Sequence, residues 1–104
     1  MKKFAFALHG GAGTILKSAM TPEKEKAYRN ALFQALSAGE SILKHGGSAI
    51  DAVESAVVEM ENSALFNAGY GSVFTHEISH ELDASIMDGN GRRAGAVAGI
   101  KRIK

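Results

Sequence analysis

Apolar and polar positions change rhythm several times along the chain. Phe4, Phe6 and Leu8 alternate with Ala5 and Ala7. Period-two alternation predicts a short buried strand, with small residues on its second face where another layer can approach closely. Glycines 10, 11 and 13 end that run. From Thr21 the period becomes helical: Tyr28, Leu32, Ala35, Leu36, Ile42 and Leu43 recur as one stripe through to Lys44. Thr21 suits an N-cap and Pro22 the first helical position, while Glu23 and Glu25 favour the positive helix end. Gly39 inside this helix costs about 1 kcal/mol relative to alanine. Its presence predicts a close neighbouring element. Gly46 and Gly47 predict left-handed caps.

Ser48 followed by Asp51 resembles a capping box, and Ile50, Val53, Val57 and Met60 mark the stripe of a second helix. So short a connection predicts antiparallel neighbours. Further on, Leu82, Ala84 and Ile86 alternate with Asp83, Ser85 and Met87, which predicts a strand. Asp88-Gly89-Asn90-Gly91 is a hairpin signal, and Ala94 to Ile103 is the predicted returning strand. Both this strand and Phe4–Leu8 are apolar on two faces, as in a sheet covered on both sides. An end at Lys104, inside or just past a strand, is expected to be a break in a larger fold. There is no internal repeat or low-complexity segment.

Composition narrows the function classes. The chain has 104 residues, enough for one small domain but modest for a large core. With 45% hydrophobic and 22% charged residues it reads as an ordinary soluble globular sequence. The net charge of +1 gives no electrostatic case for nucleic acid or an anionic membrane surface. The basic end Lys101-Arg102-Ile103-Lys104 reads as solvated. No cysteine is present, which excludes disulfides and thiolate metal sites and fits a reducing, cytoplasmic setting. Phe4 to Leu8 is too short for a secretory h-region, which needs roughly 7–15 apolar residues.

Four motifs carry candidate chemistry. His9-Gly10-Gly11-Ala12-Gly13 follows the first predicted strand. Such a loop presents backbone N–H groups that can cradle an anion or an oxyanion, or it is simply a tight turn. The Lys-Ser/Thr of a phosphate loop is missing, and so is a Gly-x-Ser-x-Gly elbow. His76-Glu77-Ile78-Ser79-His80 matches the zinc pattern H-E-x-x-H. That chemistry needs a helix placing both histidines on one face. Here Val73 and Phe74 precede and a strand pattern follows, so the segment reads as a polar loop without zinc. Asp83 and Asp88 lie five apart on a strand and face opposite sides, which argues against a shared acid–base role. Asp83 reads as a buried, hydrogen-bonded structural acid and Asp88 as a turn former. The fourth motif, Asn67-Ala68-Gly69-Tyr70-Gly71, follows the second helix through Met60-Glu61-Asn62-Ser63-Ala64-Leu65-Phe66. Carbonyls left free at a helix end and in an irregular loop can ring a hard cation, and an ordinary loop that binds nothing is the alternative.

The His9 loop, the Asn67 block through Thr75, and Glu81-Leu82-Asp83-Ala84-Ser85-Ile86-Met87-Asp88-Gly89 occur in this order. Together they resemble plant-type asparaginases / isoaspartyl peptidases, a family of N-terminal nucleophile hydrolases. The resemblance runs from Lys3 to Ile103. It implies that residues 1–104 are a single partial domain of α/β (α+β) class, the front part of a four-layer αββα sandwich. It implies hydrolysis of asparagine, or of isoaspartyl peptides, by a threonine that becomes an N-terminus after autoproteolysis and uses its own amine as base.

Carried over residue by residue, the resemblance gives His9, Gly10, Gly11 and Asn67 as active-site support. It gives a structural sodium held by the main-chain carbonyls of Met60, Glu61, Ser63, Phe66, Ala68 and Tyr70, with no zinc and no organic cofactor. The chain departs from many members in lacking a glycine in the loop through His76 and His80. It holds no candidate nucleophile. Thr14 belongs to the first glycine loop, Thr21 to a helix cap and Thr75 to a loop. The expected partners are a second (beta) subunit or C-terminal segment of the same precursor, a small-molecule or dipeptide substrate, and further copies in a homo-oligomer. Two other readings stay open: a catalytically inactive truncated protein or binding module of the same fold, and a glycosylasparaginase-like relative. The Asn67 block favours the plant-type branch.

Overall fold

The fold was described from a computed structural model, which describes residues 3–11, 18, 20–63, 65–66 and 82–101. Two helices, α1 (Pro22–Lys44) and α2 (Ala49–Glu61), precede two strands, β1 (Leu82–Asp88) and β2 (Arg93–Ile100).

Local chemistry sets the helix limits. The Thr21 hydroxyl accepts the Lys24 N–H at 3.1 Å, Pro22 opens the first turn, and Glu23 and Glu25 sit at the positive end of the helix dipole. At the other end the Gly47 N–H donates to the Ile42 carbonyl at 2.8 Å and the Gly46 N–H to Leu43 at 3.2 Å. This is a Schellman closure, with Gly46 in the left-handed region at φ +82. Gly47 does not take the left-handed conformation predicted for it. One such residue reverses the chain, and Gly47 follows as the second donor. His45 adds a bond from its Nδ1 to the Ser41 carbonyl at 2.7 Å, in which the ring donates. Ser48 then caps α2 by accepting the Asp51 N–H at 3.1 Å.

The two helices pack on small residues. Ala35 and Gly39 of α1 are buried, as are Ala52 and Ala56 of α2. A methyl group added at Gly39 would stand 2.9 Å from the Ala52 carbonyl oxygen and collide with the Phe6 ring. Gly39 therefore allows the close approach its position predicts. The predicted α2 stripe is only partly the contact seam. Val53 and Val57 are 38% and 42% exposed, whereas the flanking alanines face α1. Ranking positions by side-chain size picks the valines, but close packing against a glycine selects the smallest side chains.

The predicted strand Phe4–Leu8 does not form. These residues carry no regular secondary structure, and among the described residues the sheet holds only β1 and β2. A strand exists through its ladder, and β1 and β2 pair with each other. Phe6 instead packs on α1 at Gly39, and Phe6, Leu8 and Gly10 line a recess of about 280 Å³ with Leu32, Phe33 and Leu36.

β1 and β2 form the predicted antiparallel hairpin, with Asp88 opposite Arg93 and Ala84 opposite Val97. β2 spans Arg93–Ile100, starting one residue earlier than predicted and stopping before Lys101, while Arg102 and Ile103 lie outside the described residues. Asp88 acts as the expected turn former, its Oδ1 accepting the Asn90 N–H at 3.0 Å. Gly91 and Arg92 supply the positive φ values, +85 and +52, that close the turn. The register shifts between Leu82 and Ala84, where β2 carries one extra residue. Gly99, at φ +65, absorbs that bulge, and Asp83 Oδ1 accepts its N–H at 2.8 Å. Asp83 is thus hydrogen-bonded but exposed, which corrects the expectation of a buried acid. The bulge supplies the partner at the strand surface.

Large apolar side chains stay open to solvent on the hairpin: Met87 is 58% exposed and Val97 50%. Between α2 and the hairpin lies a cleft of about 820 Å³, lined by Val53, Val57 and Val58 on one side and Ile86, Met87 and Val97 on the other.

Candidate functional site

The described parts of the two predicted site loops meet beside Tyr28 and Leu32 of α1. His9, Gly10 and Gly11 form the first. Gly11 takes φ +123, a conformation that L side chains rarely adopt, and its N–H donates to His9 Nδ1 at 3.0 Å. Because Nδ1 accepts, the neutral imidazole carries its proton on Nε2. His9 is exposed and its ring bonds back to its own loop.

The second loop leaves α2. Asn62 closes the helix by donating to the Val58 carbonyl at 3.0 Å, and Ser63 N–H donates to Met60 at 3.1 Å. The Ser63 hydroxyl accepts the Leu65 N–H at 3.2 Å, which turns the chain into Phe66. The Phe66 ring is only 6% exposed. It meets Tyr28 of α1 edge-on, with centroids 6.1 Å apart and an interplanar angle of 76°. On its other side lies the first loop: a methyl at Gly10 would stand 3.4 Å from Phe66 Cε1 and 3.0 Å from Leu32 Cδ2. Asn67, Ala68 and Tyr70, also predicted site residues, lie outside the described residues, as do His76 and His80 of the zinc pattern.

The end of α2 suits a cation. Its last turn carries Glu59 and Glu61 and no basic side chain, although carbonyls at a helix C-terminus form the negative end of the dipole. α1, by contrast, has Lys44 in its last turn. Among the described predicted ligands, the Met60 carbonyl accepts the Ser63 N–H. Among the described residues, no three His, Cys, Asp or Glu side chains converge as a metal site. A ligand set at this place would be made of main-chain oxygens, the donor type that hard cations take.

Tyr28 and Leu32 were legible as members of the α1 stripe, but only the fold shows them backing Phe66 and Gly10. Thr21, one of three threonines in the chain, has its hydroxyl engaged in the α1 cap. No helix among the described residues is long and apolar enough to cross a membrane.

Comparison with known proteins agrees with the motifs. A family model described as asparaginase matches residues 2–104. The isoaspartyl peptidase of Salmonella typhimurium is 46% identical over 104 residues, all of this chain and 33% of that protein. That of Escherichia coli is 46% identical over 104 residues, all of this chain and 32% of its own length. A plant-type L-asparaginase of Pyrobaculum calidifontis is 46% identical over 97 residues, 93% of this chain and 31% of that protein. The chain spans about a third of the length of these curated relatives. Its three motif blocks and the family match over residues 2–104 place it in one group: the chain belongs to the asparaginase family of isoaspartyl peptidases and plant-type L-asparaginases.

Proposed function

We propose that this chain supplies the supporting part of an asparaginase-type active site, in an enzyme that hydrolyses L-asparagine or isoaspartyl peptides. The observation that carries this reading is the junction of the His9–Gly11 loop with Phe66, the residue preceding Asn67. It sets the first family block against the residue that leads into the second, beside Tyr28 and Leu32 of α1. Gly11, fixed by His9, orders a backbone turn beside the reacting centre. Asn67 helps to hold the nucleophile region in place.

The nucleophile is a threonine outside this chain, which an autoproteolytic step turns into an N-terminus. Its hydroxyl oxygen attacks the amide carbon, its amine takes the proton, and ammonia or the amine of the shortened peptide leaves. Water then cleaves the ester and releases aspartate. The chain on its own is inactive. A sodium ion, held by the main-chain carbonyls of Met60, Glu61, Ser63, Phe66, Ala68 and Tyr70, would neutralise the negative end of α2 and stiffen the loop that carries Asn67.

The larger fold is a four-layer αββα sandwich. The open cleft between α2 and the hairpin, and the exposed apolar hairpin, support that reading. They are surfaces that a second polypeptide segment would cover, and further copies complete a homo-oligomer. Incubation of the purified, mass-verified chain with asparagine tests the division of labour. No ammonia above the enzyme-free blank is expected, and release above it would refute the reading.

A further inference from the structure

We propose that Phe66 is a positioning residue whose ring sets the His9–Gly11 loop relative to the loop leaving α2. Among the described residues the buried apolar side chains are Ala35, Ala52, Ala56 and Phe66, so the one large side chain among them is the ring beside Tyr28 and Gly10. Its two contacts point the same way. Tyr28 meets the ring edge-on and fixes its plane against α1. Gly10 comes so close that an added methyl would stand 3.4 Å from Cε1, with Leu32 closing the other side at 3.0 Å. Gly10 has no side chain of its own to anchor it. The ring and Leu32 are therefore the walls that locate its backbone. One residue further, Gly11 sits at φ +123 and donates its N–H to His9 Nδ1. A small movement of the ring is thus passed through Gly10 to the turn at Gly11.

The inference rests on the reading that both loops serve one site. Its readouts are structural, so a chain inert towards asparagine does not decide it. The test compares Phe66→Leu, Phe66→Tyr and Gly10→Ala in the full chain by amide hydrogen exchange and by imidazole ¹⁵N shifts of His9. In Phe66→Leu, exchange at Gly10 and Gly11 should rise at least tenfold, while Ala35, Ala52 and Ala56 keep their rates. The His9 Nδ1 signal should move from the acceptor position towards a mixture of tautomers. Phe66→Tyr keeps the ring and should restore both readouts. Gly10→Ala, made from the other side, should shift the Leu65 and Phe66 amides. The proposal is overturned if His9 and Gly11 do not respond. It is equally overturned if exchange rises across both helices together, since Phe66 would then be a core residue only, or if Gly10→Ala leaves Phe66 unmoved.

Discussion

Asp83 accepts the Gly99 N–H at 2.8 Å across the hairpin, at the one point where the ladder of β1 and β2 loses register. The bulge sets the left-handed Gly99 opposite an aspartate, and the carboxylate replaces the missing ladder partner. Asp83→Ala should cost about 0.5–1.5 kcal/mol, towards the low end because water can reach Gly99. Gly99→Ala should cost a further ~1 kcal/mol or more for the left-handed backbone. Chemical denaturation of each variant checks both figures. An unchanged midpoint for Asp83→Ala would show that water serves Gly99 equally well.

Gly39 gives a sharper case. Gly39→Ala gains about 1 kcal/mol of helix propensity. Against it stands overpacking of the Phe6 ring and the Ala52 carbonyl, roughly 1–3 kcal/mol. The second effect should win and lower the melting temperature, by about 4–8 °C per kcal/mol for a domain of this size. Gly89→Ala, with nothing within 4 Å of the added methyl, is the neutral control.

The caps are local and should behave so. Thr21→Ala and Ser48→Ala each remove the acceptor for one N–H at a helix start, and each should cost about 1 kcal/mol. Their effects should add, since the residues sit at different helix starts and share no partner. Thermal melts of the two single variants and the double variant decide this.

Sodium gives a ligand-removal prediction for the assembled protein. A cation bound at the end of α2 stabilises only the folded state. At a hundredfold excess over its dissociation constant that is about 2.7 kcal/mol. Replacing sodium chloride by choline chloride at equal ionic strength should therefore lower the melting temperature. Equal melting in both salts would remove the ion from the account.

What could be read from the sequence was what neighbours along the chain decide. Thr21, Pro22, Ser48, Gly46 and the Asp88–Gly91 turn each act within four or five residues, and each does what its residue type predicts. Phe4–Leu8 failed because a strand needs a partner ladder, which no alternation within five residues can supply. The α2 seam was misread for a related reason. Which side chains face α1 depends on Gly39, far away in sequence. Asp83 was correctly paired but wrongly buried, because its partner Gly99 is set by a bulge visible only in the register. Of the site, the motif blocks were legible one by one, but the meeting of Gly10, Phe66 and Tyr28 was not.

The central claim is that residues 1–104 supply the supporting part of an asparaginase-type site. A chimera tests it most directly. In it this chain replaces the matched third of the E. coli isoaspartyl peptidase, a protein 46% identical to it over that region. The measurement is hydrolysis of a β-aspartyl dipeptide by the purified chimera, with self-cleavage followed by mass. Self-cleavage and hydrolysis, both abolished when Asn67 is changed to alanine, are the predicted result. A folded chimera that neither cleaves itself nor hydrolyses the dipeptide, beside an active parent enzyme, would contradict the account.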